Sequence, residues 1–313
     1  MNRYIALINE ALAGLELPAE PSRLYDPIRY TLAGGGKRLR PTLTLLTCDA
    51  LGGNIDHAMP AALAIDVFHN FTLLHDDVMD RADVRRHRPT VWRRWDENVA
   101  ILSGDAMLTF ATTLLAKAPA RHLPELLSLF NTTAMEIYEG QQWDMDFELR
   151  DDVSVDEYIN MIRLKTSVLL GCACKAGAII ADADSDLAGH FYSMAVDLGL
   201  AFQLQDDYLD CWGDPDTFGK AIGGDIECGK KTFLLINALR RDPSLAHVVG
   251  GNAPDKVATV TARYEQLGVK ALARNEINRY SLQALDTLNT LNLAPDFHHR
   301  FERLITALIS RDS

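Results

Sequence analysis

Two apolar segments of this chain end in the same acidic pattern: FHNFTLLHDDVMD at 68–80 and GLAFQLQDDYLD at 199–210. Asp76, Asp77 and Asp80 stand at i, i+1 and i+4, and Asp206, Asp207 and Asp210 repeat that spacing. On a helix, i and i+4 share a face, so Asp76 projects with Asp80 and Asp206 with Asp210. Like charges so placed repel, and at a helix C-terminus they also oppose the macrodipole. A chain accepts that cost where a cation neutralises the carboxylates. Oxygen donors without Cys or His favour Mg²⁺ over zinc, and Mg²⁺ characteristically combines one or two carboxylates with substrate phosphates. A solvated acidic helix end explains one such motif well. It explains two poorly, since each follows an apolar helix that must be buried. The motifs lie too far apart for a solenoid period and read as two facing helices serving one cavity.

Nearly every other periodic segment is helical too. Asp26-Pro27 reads as an N-cap and first-turn pair whose helix stops at Gly34-Gly35-Gly36, and Pro41 opens a second helix ending at Gly52-Gly53. Further helices are expected at about 60–80, 99–117, 123–147, 155–180 (Ser154 as N-cap), 187–211, 231–240, 255–267, 269–291 and 296–309. Alternating β-branched runs between turn pairs are missing, so β-sheet is not expected. No Ser/Gly-rich linker divides the chain. The expectation is one large all-α domain, 1–313, with a central cavity.

Composition narrows the function. With 31 basic and 43 acidic side chains the net charge is −12, which argues against a general nucleic-acid surface. Five cysteines form no CxxC pair, as befits a reducing compartment with structural thiols. The start, MNRYIALINEALAG, lacks the apolar core of a signal peptide, and no stretch approaches ~18 uninterrupted apolar residues. A cytoplasmic protein without a transmembrane segment is expected.

Basic corners accompany the acidic helix ends. GGGKRLRP (34–41) places Lys37, Arg38 and Arg40 on a Gly-rich turn before a helix N-terminus, where amides, dipole and guanidinium groups suit a phosphate. Arg85-Arg86-His87-Arg88-Pro89 follows Asp80 closely, and Lys165-Thr166, Lys220 and Lys230 stand singly in apolar or Gly-rich surroundings. Any one of these is an ordinary solvated charge. Together they suit a polyanion bridged by Mg²⁺ and clamped by Lys and Arg.

These motifs resemble those of the trans-isoprenyl diphosphate synthases, the polyprenyl synthetases. The resemblance runs from about Arg29 to Leu235 and rests on GGGKRLRP, HNFTLLHDDVMD with RRHRPT (85–90), GDAML (104–108), EGQQWD (139–144), KT (165–166), FQLQDDYLD (202–210) and GKAIGGDIECGKK (219–231). It implies an all-α fold of the isoprenoid synthase type, usually homodimeric, that condenses isopentenyl diphosphate with an allylic diphosphate. It implies Mg²⁺, with three ions per active site expected, held by Asp76, Asp80 and Asp206 and supported by Asp77 and Asp210 behind them. Arg85, Lys165 and Lys220 would hold the allylic diphosphate, with Thr166, Gln203 and Lys230 close to its headgroup. Lys37, Arg40, His69 and Arg86 would hold isopentenyl diphosphate.

The chemistry needs such groups on physical grounds. Breaking a C–O bond to diphosphate requires stabilisation of the leaving charge, and the allylic cation needs a cavity that excludes water. Gln141, Thr166 and Gln203 offer dipoles to that cation, and the released diphosphate is the expected base. His69 alone reads as a core histidine, but its place seven residues before Asp76 keeps it on the same stripe. His75, the four tryptophans, Cys172 and Cys174 read as structural. Phe71 and Phe68 lie about 7.5 and 12 Å down the axis from Asp76, at ~1.5 Å per residue. Thr72 leaves room beside them. In the family, an aromatic five before the first Asp with a small residue four before it goes with C20 products, so geranylgeranyl diphosphate is favoured and farnesyl diphosphate is the alternative. A class I terpene cyclase normally replaces the second Asp-rich motif and needs no second diphosphate pocket. A noncatalytic partner subunit typically loses the Asp-rich motifs, and no EF-hand loop supports a Ca²⁺ protein. The chain ends Ile309-Ser310-Arg311-Asp312-Ser313, without the basic tail that closes the site in some members.

Overall fold

The structure, a computed structural model, describes residues 1–214, 222–251 and 253–309. In chain order its main helices are α1 (Asn2–Ala13), α2 (Ser22–Leu32), α3 (Leu39–Ala50), α4 (Ile55–Met79), α5 (Val91–Arg94), α6 (Glu97–Leu115), α7 (Leu123–Glu148), α8 (Val155–Ile162), α9 (Val168–Ile180), α10 (Ser185–Trp212), α11 (Gly224–Cys228), α12 (Phe233–Arg241), α13 (Leu245–Val249), α14 (Lys256–Gln266), α15 (Val269–Thr290) and α16 (Pro295–Ile309). The fold is all-α, as the periodicity requires. One departure is a minimal antiparallel hairpin, β1 (Val84–Arg85) with β2 (Arg88–Pro89), inside the basic run. Its turn residues Arg86 and His87 both have positive φ, +52° and +60°, as a two-residue hairpin loop demands.

The chain divides into two compact units, residues 1–130 with 172–188, and residues 131–171 with 189–313. The first is built around α4. Asn54 caps it by accepting Asp56 N–H at 2.9 Å, and every residue from Ala61 to Phe68 is buried. A helix apolar all round belongs in the middle of a core, and α4 packs against α2, α3 and α6. Gly104 of α6 lies under the His75 imidazole, where a Cβ would overlap the ring. His75 Nε2 also meets Ile101 O at 3.0 Å, so this histidine is structural, as expected. By length and composition α6 is apolar enough to cross a membrane. Here Ala100, Ser103, Met107, Ala111 and Leu114 are buried along it. The second unit gathers Phe147, Tyr158, Leu204, Tyr208, Phe233, Tyr264 and Ile277 into its core.

Several boundaries differ from expectation. Helix α2 begins at Ser22, whose N–H meets Glu20 Oε2 at 2.8 Å, and Pro27 lies inside it. Helix α4 begins before Pro60 for a similar reason, the Asn54 cap. Each proline is the sixth residue of its helix, so each deletes a single bond near the N-terminus. The expected helix at 155–180 is two helices joined by one π-turn, Arg163–Ser167. Gly140 of α7 and Gly199 of α10 pack directly on the backbone of Lys165 and Ser167. Trp143 is 43% exposed and is no core residue, flanking the Phe147 ring at 5.8 Å. Cys172 and Cys174 are buried small residues.

Candidate active site

In the first unit the acidic turn ends α4. Asp76 is half-buried and Asp80 exposed, whereas Asp77 is buried and paired with Arg85 Nε at 2.7 Å. Burial raises the Asp77 carboxyl and Arg85 opposes it. The two basic segments, far apart in sequence, meet in space. Arg86 donates to Gly35 O, and its guanidinium lies against Gly36, where a Cβ would stand 3.1 Å from it. Gly36 has φ +137°, so this corner needs glycine on two counts. Asp77, Arg85 and Arg86 also line a cavity of about 50 Å³ with Tyr30, Asn70 and Arg88.

Beside this corner Arg40 Nη1 meets His69 Nε2 at 3.1 Å. A guanidinium only donates, so Nε2 accepts and the proton sits on Nδ1. Burial and the charges of Arg40, Arg86, Arg85 and Arg38 hold His69 well below its usual range, so it is neutral. Burial also lowers Arg40 to about 10, against Asp66. Arg40 Nε is buried without a partner among the described residues, a cost that an oxygen-rich ligand would remove. Lys37 is exposed. Phe68 and Phe71 are buried, 5.5 Å apart, with Phe130 edge-on to Phe68 at 5.1 Å. Thr72, half-buried, donates its hydroxyl to His69 O at 2.9 Å.

In the second unit Asp206 is half-buried, while Asp207 and Asp210 are buried. Asp207 accepts from the Tyr158 hydroxyl and, at 3.2 Å, from Gln203 Nε2. Burial and the Asp225 charge push it well above the carboxylate range. Gln203 Oε1 in turn accepts from Thr166 Oγ1 at 3.1 Å. Asp210 Oδ2 accepts from Asp225 N–H at 3.1 Å, so its carboxylate also orders the start of α11. Lys165 and Lys230 converge on Asp144 Oδ2 at 2.6 and 3.4 Å. Both amide atoms of Gln141 are buried without a partner among the described residues. Lys220 lies outside the described residues.

Asp144 was visible in EGQQWD, three residues after Gln141, but only the structure gives it two lysines. Tyr158 had no signal beyond a core aromatic. Among the described residues no three His, Cys, Asp or Glu side chains converge as a ready-made metal cage. Taken within its own unit, each acidic turn keeps carboxylate outside the core, Asp76 and Asp80 in the first and Asp206 in the second, of the oxygen-donor type that a hard cation takes together with phosphate and water.

A family model for polyprenyl synthetases matches residues 21–267. The geranylgeranyl diphosphate synthase of Methanosarcina mazei is 36% identical over 293 residues, covering 92% of this chain and 90% of its own. The geranylfarnesyl diphosphate synthase of Natronomonas pharaonis is 39% identical over 252 residues, 74% of this chain and 73% of its own. A crystal structure of a geranylgeranyl pyrophosphate synthase superposes with a TM-score of 0.96 at 44% identity, covering 100% of this chain and 99% of that one. With the basic corner, the paired acidic turns and these matches together, the chain belongs to the polyprenyl synthetase family.

Proposed function

We propose that this protein condenses isopentenyl diphosphate head-to-tail with allylic diphosphates, releasing a short trans-prenyl diphosphate of C15–C20, with geranylgeranyl diphosphate favoured over farnesyl. The observation that carries this reading is the basic corner. Half-buried Arg40 and neutral His69 stand with exposed Arg86 at an anion-binding corner, around a guanidinium whose buried Nε has no partner among the described residues. A second diphosphate pocket suits a chain-elongating enzyme and is superfluous in a cyclase. The family match runs through both units, which supports one catalytic domain spanning 1–313.

The family generally uses Mg²⁺; three ions carried on Asp76, Asp80 and Asp206 would supply the Lewis acid that neutralises the departing diphosphate. Asp77 and Asp210, each held by a protein partner, keep the acidic turns in place. Arg85, Lys165 and Lys220 bind the allylic diphosphate, with Lys230 close to its headgroup. Lys37, Arg40, His69 and Arg86 bind isopentenyl diphosphate. The amide dipoles of Gln141 and Gln203 and the Thr166 hydroxyl face the allylic cation, and the buried surroundings of Gln141 exclude water. The isopentenyl double bond attacks C1 of that cation, and the proton lost goes to the released diphosphate. Phe71 and Phe68 floor the tail pocket beside Thr72. The protein would act in the cytoplasm as a homodimer. Four buried reduced cysteines suit the one, and exposed Ile101 and Leu102 on α6 suit the other.

The test is incubation with labelled isopentenyl diphosphate, farnesyl or geranyl diphosphate and Mg²⁺, followed by chromatography of the dephosphorylated products. C15–C20 prenyl alcohols are expected. Release of cyclic hydrocarbon, or no consumption of isopentenyl diphosphate, would overturn the reading.

A further inference from the structure

The corner GGGKRLRP reads in sequence as three exposed cations, but the structure turns the middle one inward. Arg38 is 8% exposed. All three guanidinium nitrogens are engaged within the protein: Nε donates to Asn9 Oδ1 at 3.1 Å, Nη1 to Asp66 Oδ2 at 2.8 Å and Nη2 to Leu32 O at 3.0 Å. The residue itself is left-handed, φ +49° and ψ +34°, at the N-cap of α3. A residue with a Cβ holds that conformation only where its surroundings impose it. Asp66 is equally enclosed, and Asn70 Nδ2 also approaches its carboxylate at 3.4 Å.

Position explains why such a clamp is useful. Arg38 lies between exposed Lys37 and Arg40, which meets His69. Asp66 stands on α4 three residues before His69. One buried carboxylate therefore ties the Gly-rich corner to the helix that carries its histidine. Asn9 adds a tie from α1. Of the described groups assigned to the allylic headgroup, Lys165 and Lys230 hang instead on Asp144 and Arg85 on Asp77, and none of these ion pairs includes Arg38.

We infer that Asp66 and Asn9 are positioning residues for the isopentenyl diphosphate pocket: by gripping Arg38 they hold Lys37 and Arg40 in register with His69. The inference rests on the proposed function, which assigns that pocket. Asn9→Ala removes one arm without burying an unpaired charge, Asn9→Asp keeps the acceptor, and Asp66→Asn keeps the shape while removing the charge. Losing one hydrogen bond to a charged group should raise the KM for isopentenyl diphosphate about 3–10-fold in Asn9→Ala and more than about tenfold in Asp66→Asn. The allylic KM and kcat should stay within about twofold, as a change confined to one pocket requires. Asn9→Asp should match wild type. Binding of isopentenyl diphosphate without Mg²⁺, followed by calorimetry, should weaken in parallel. An equal rise in both KM values, or an unchanged isopentenyl diphosphate affinity in folded Asn9→Ala, would overturn the clamp. If Asp66→Asn does not fold, the Asn9 pair decides. Wild type that binds isopentenyl diphosphate but transfers nothing defeats the proposed reaction, while the binding series still judges the clamp. Wild type that does not bind it overturns both.

Discussion

Asp144→Asn tests whether the two lysines of the second unit are held by one carboxylate. Lys165 Nζ lies 2.6 Å from Asp144 Oδ2 with side-chain exposures of 21% and 11%, so that pair is nearly buried. Lys230 lies at 3.4 Å and is 40% exposed, so water screens most of its share. Removing one partner of a fully buried pair costs ~3–5 kcal/mol. Asparagine keeps an acceptor for Lys165, so a loss of about 2 kcal/mol is expected at pH 7. The pH dependence has a definite sign. Burial raises the Asp144 carboxyl, but Lys230 and Lys165 outweigh it and hold the group below its ordinary value. The ionised form thus stabilises the fold above the unfolded pKa of about 3.9, and that share disappears as pH falls through the lower folded value. Urea unfolding should give a constant gap between wild type and variant from pH 7 to about 5, closing below about 4. An unchanged stability at pH 7, or a gap that widens in acid, would refute the reasoning. Loss of aim at Lys165 should also lower kcat at least about tenfold, since positioned charge acts on the transition state.

Asp76→Ala or Asp206→Ala should cost at least ~4 kcal/mol of transition-state stabilisation, about a thousandfold in rate; activity within tenfold of wild type would sink the metal assignment. Lys37→Ala and Arg40→Ala should raise the KM for isopentenyl diphosphate far more than the allylic KM, and equal effects in steady-state assays would show that the basic corner serves another ligand. Phe71→Ala, with Phe68→Ala added, should shift products beyond C20 on chromatography. Both side chains are buried, so each change also costs ~3–5 kcal/mol and the products are best read at low temperature. Unchanged chain length in the folded double variant would place the floor elsewhere.

The helices and their acidic ends were legible because apolar spacing and caps are local properties. Ser154 announces α8 through a bond spanning three residues, whereas the Asn54 cap went unread and α4 starts at Ile55, ahead of the expected Pro60. What stayed hidden is set by partners distant in the chain. Nothing in RRHRP says that Arg86 will reach Gly35, fifty-one residues earlier. Nothing in KRLR says that Arg38 turns inward, because its acceptors come from α1, α2 and α4. The π-turn at Arg163–Ser167 escapes a periodicity argument because one inserted residue barely disturbs the apolar pattern. What marks it in the structure is the close approach of Gly140 and Gly199 to its backbone, a contact between residues distant in the chain. Trp143 misled because aromatic size is no guarantee of burial when a helix face is open.

The first unit is not contiguous in the chain, and that bears on how the protein is made. Residues 172–188 complete it only after 131–171, which belong to the other unit. Gly177 of α9 presses on the Thr44 carbonyl of α3 so closely that no Cβ fits between them, and Ala181 packs against Gly53. A nascent chain that has emerged only to residue 130 thus presents α3 with one side bare. At ~5–20 residues per second the covering helix arrives about 3–12 s later. During that interval the exposed strip is open to chaperones or to a neighbouring nascent chain. Changes that weaken the closing helix, such as Gly177→Ala, would therefore be felt first as poor yield from the ribosome, before any effect on turnover.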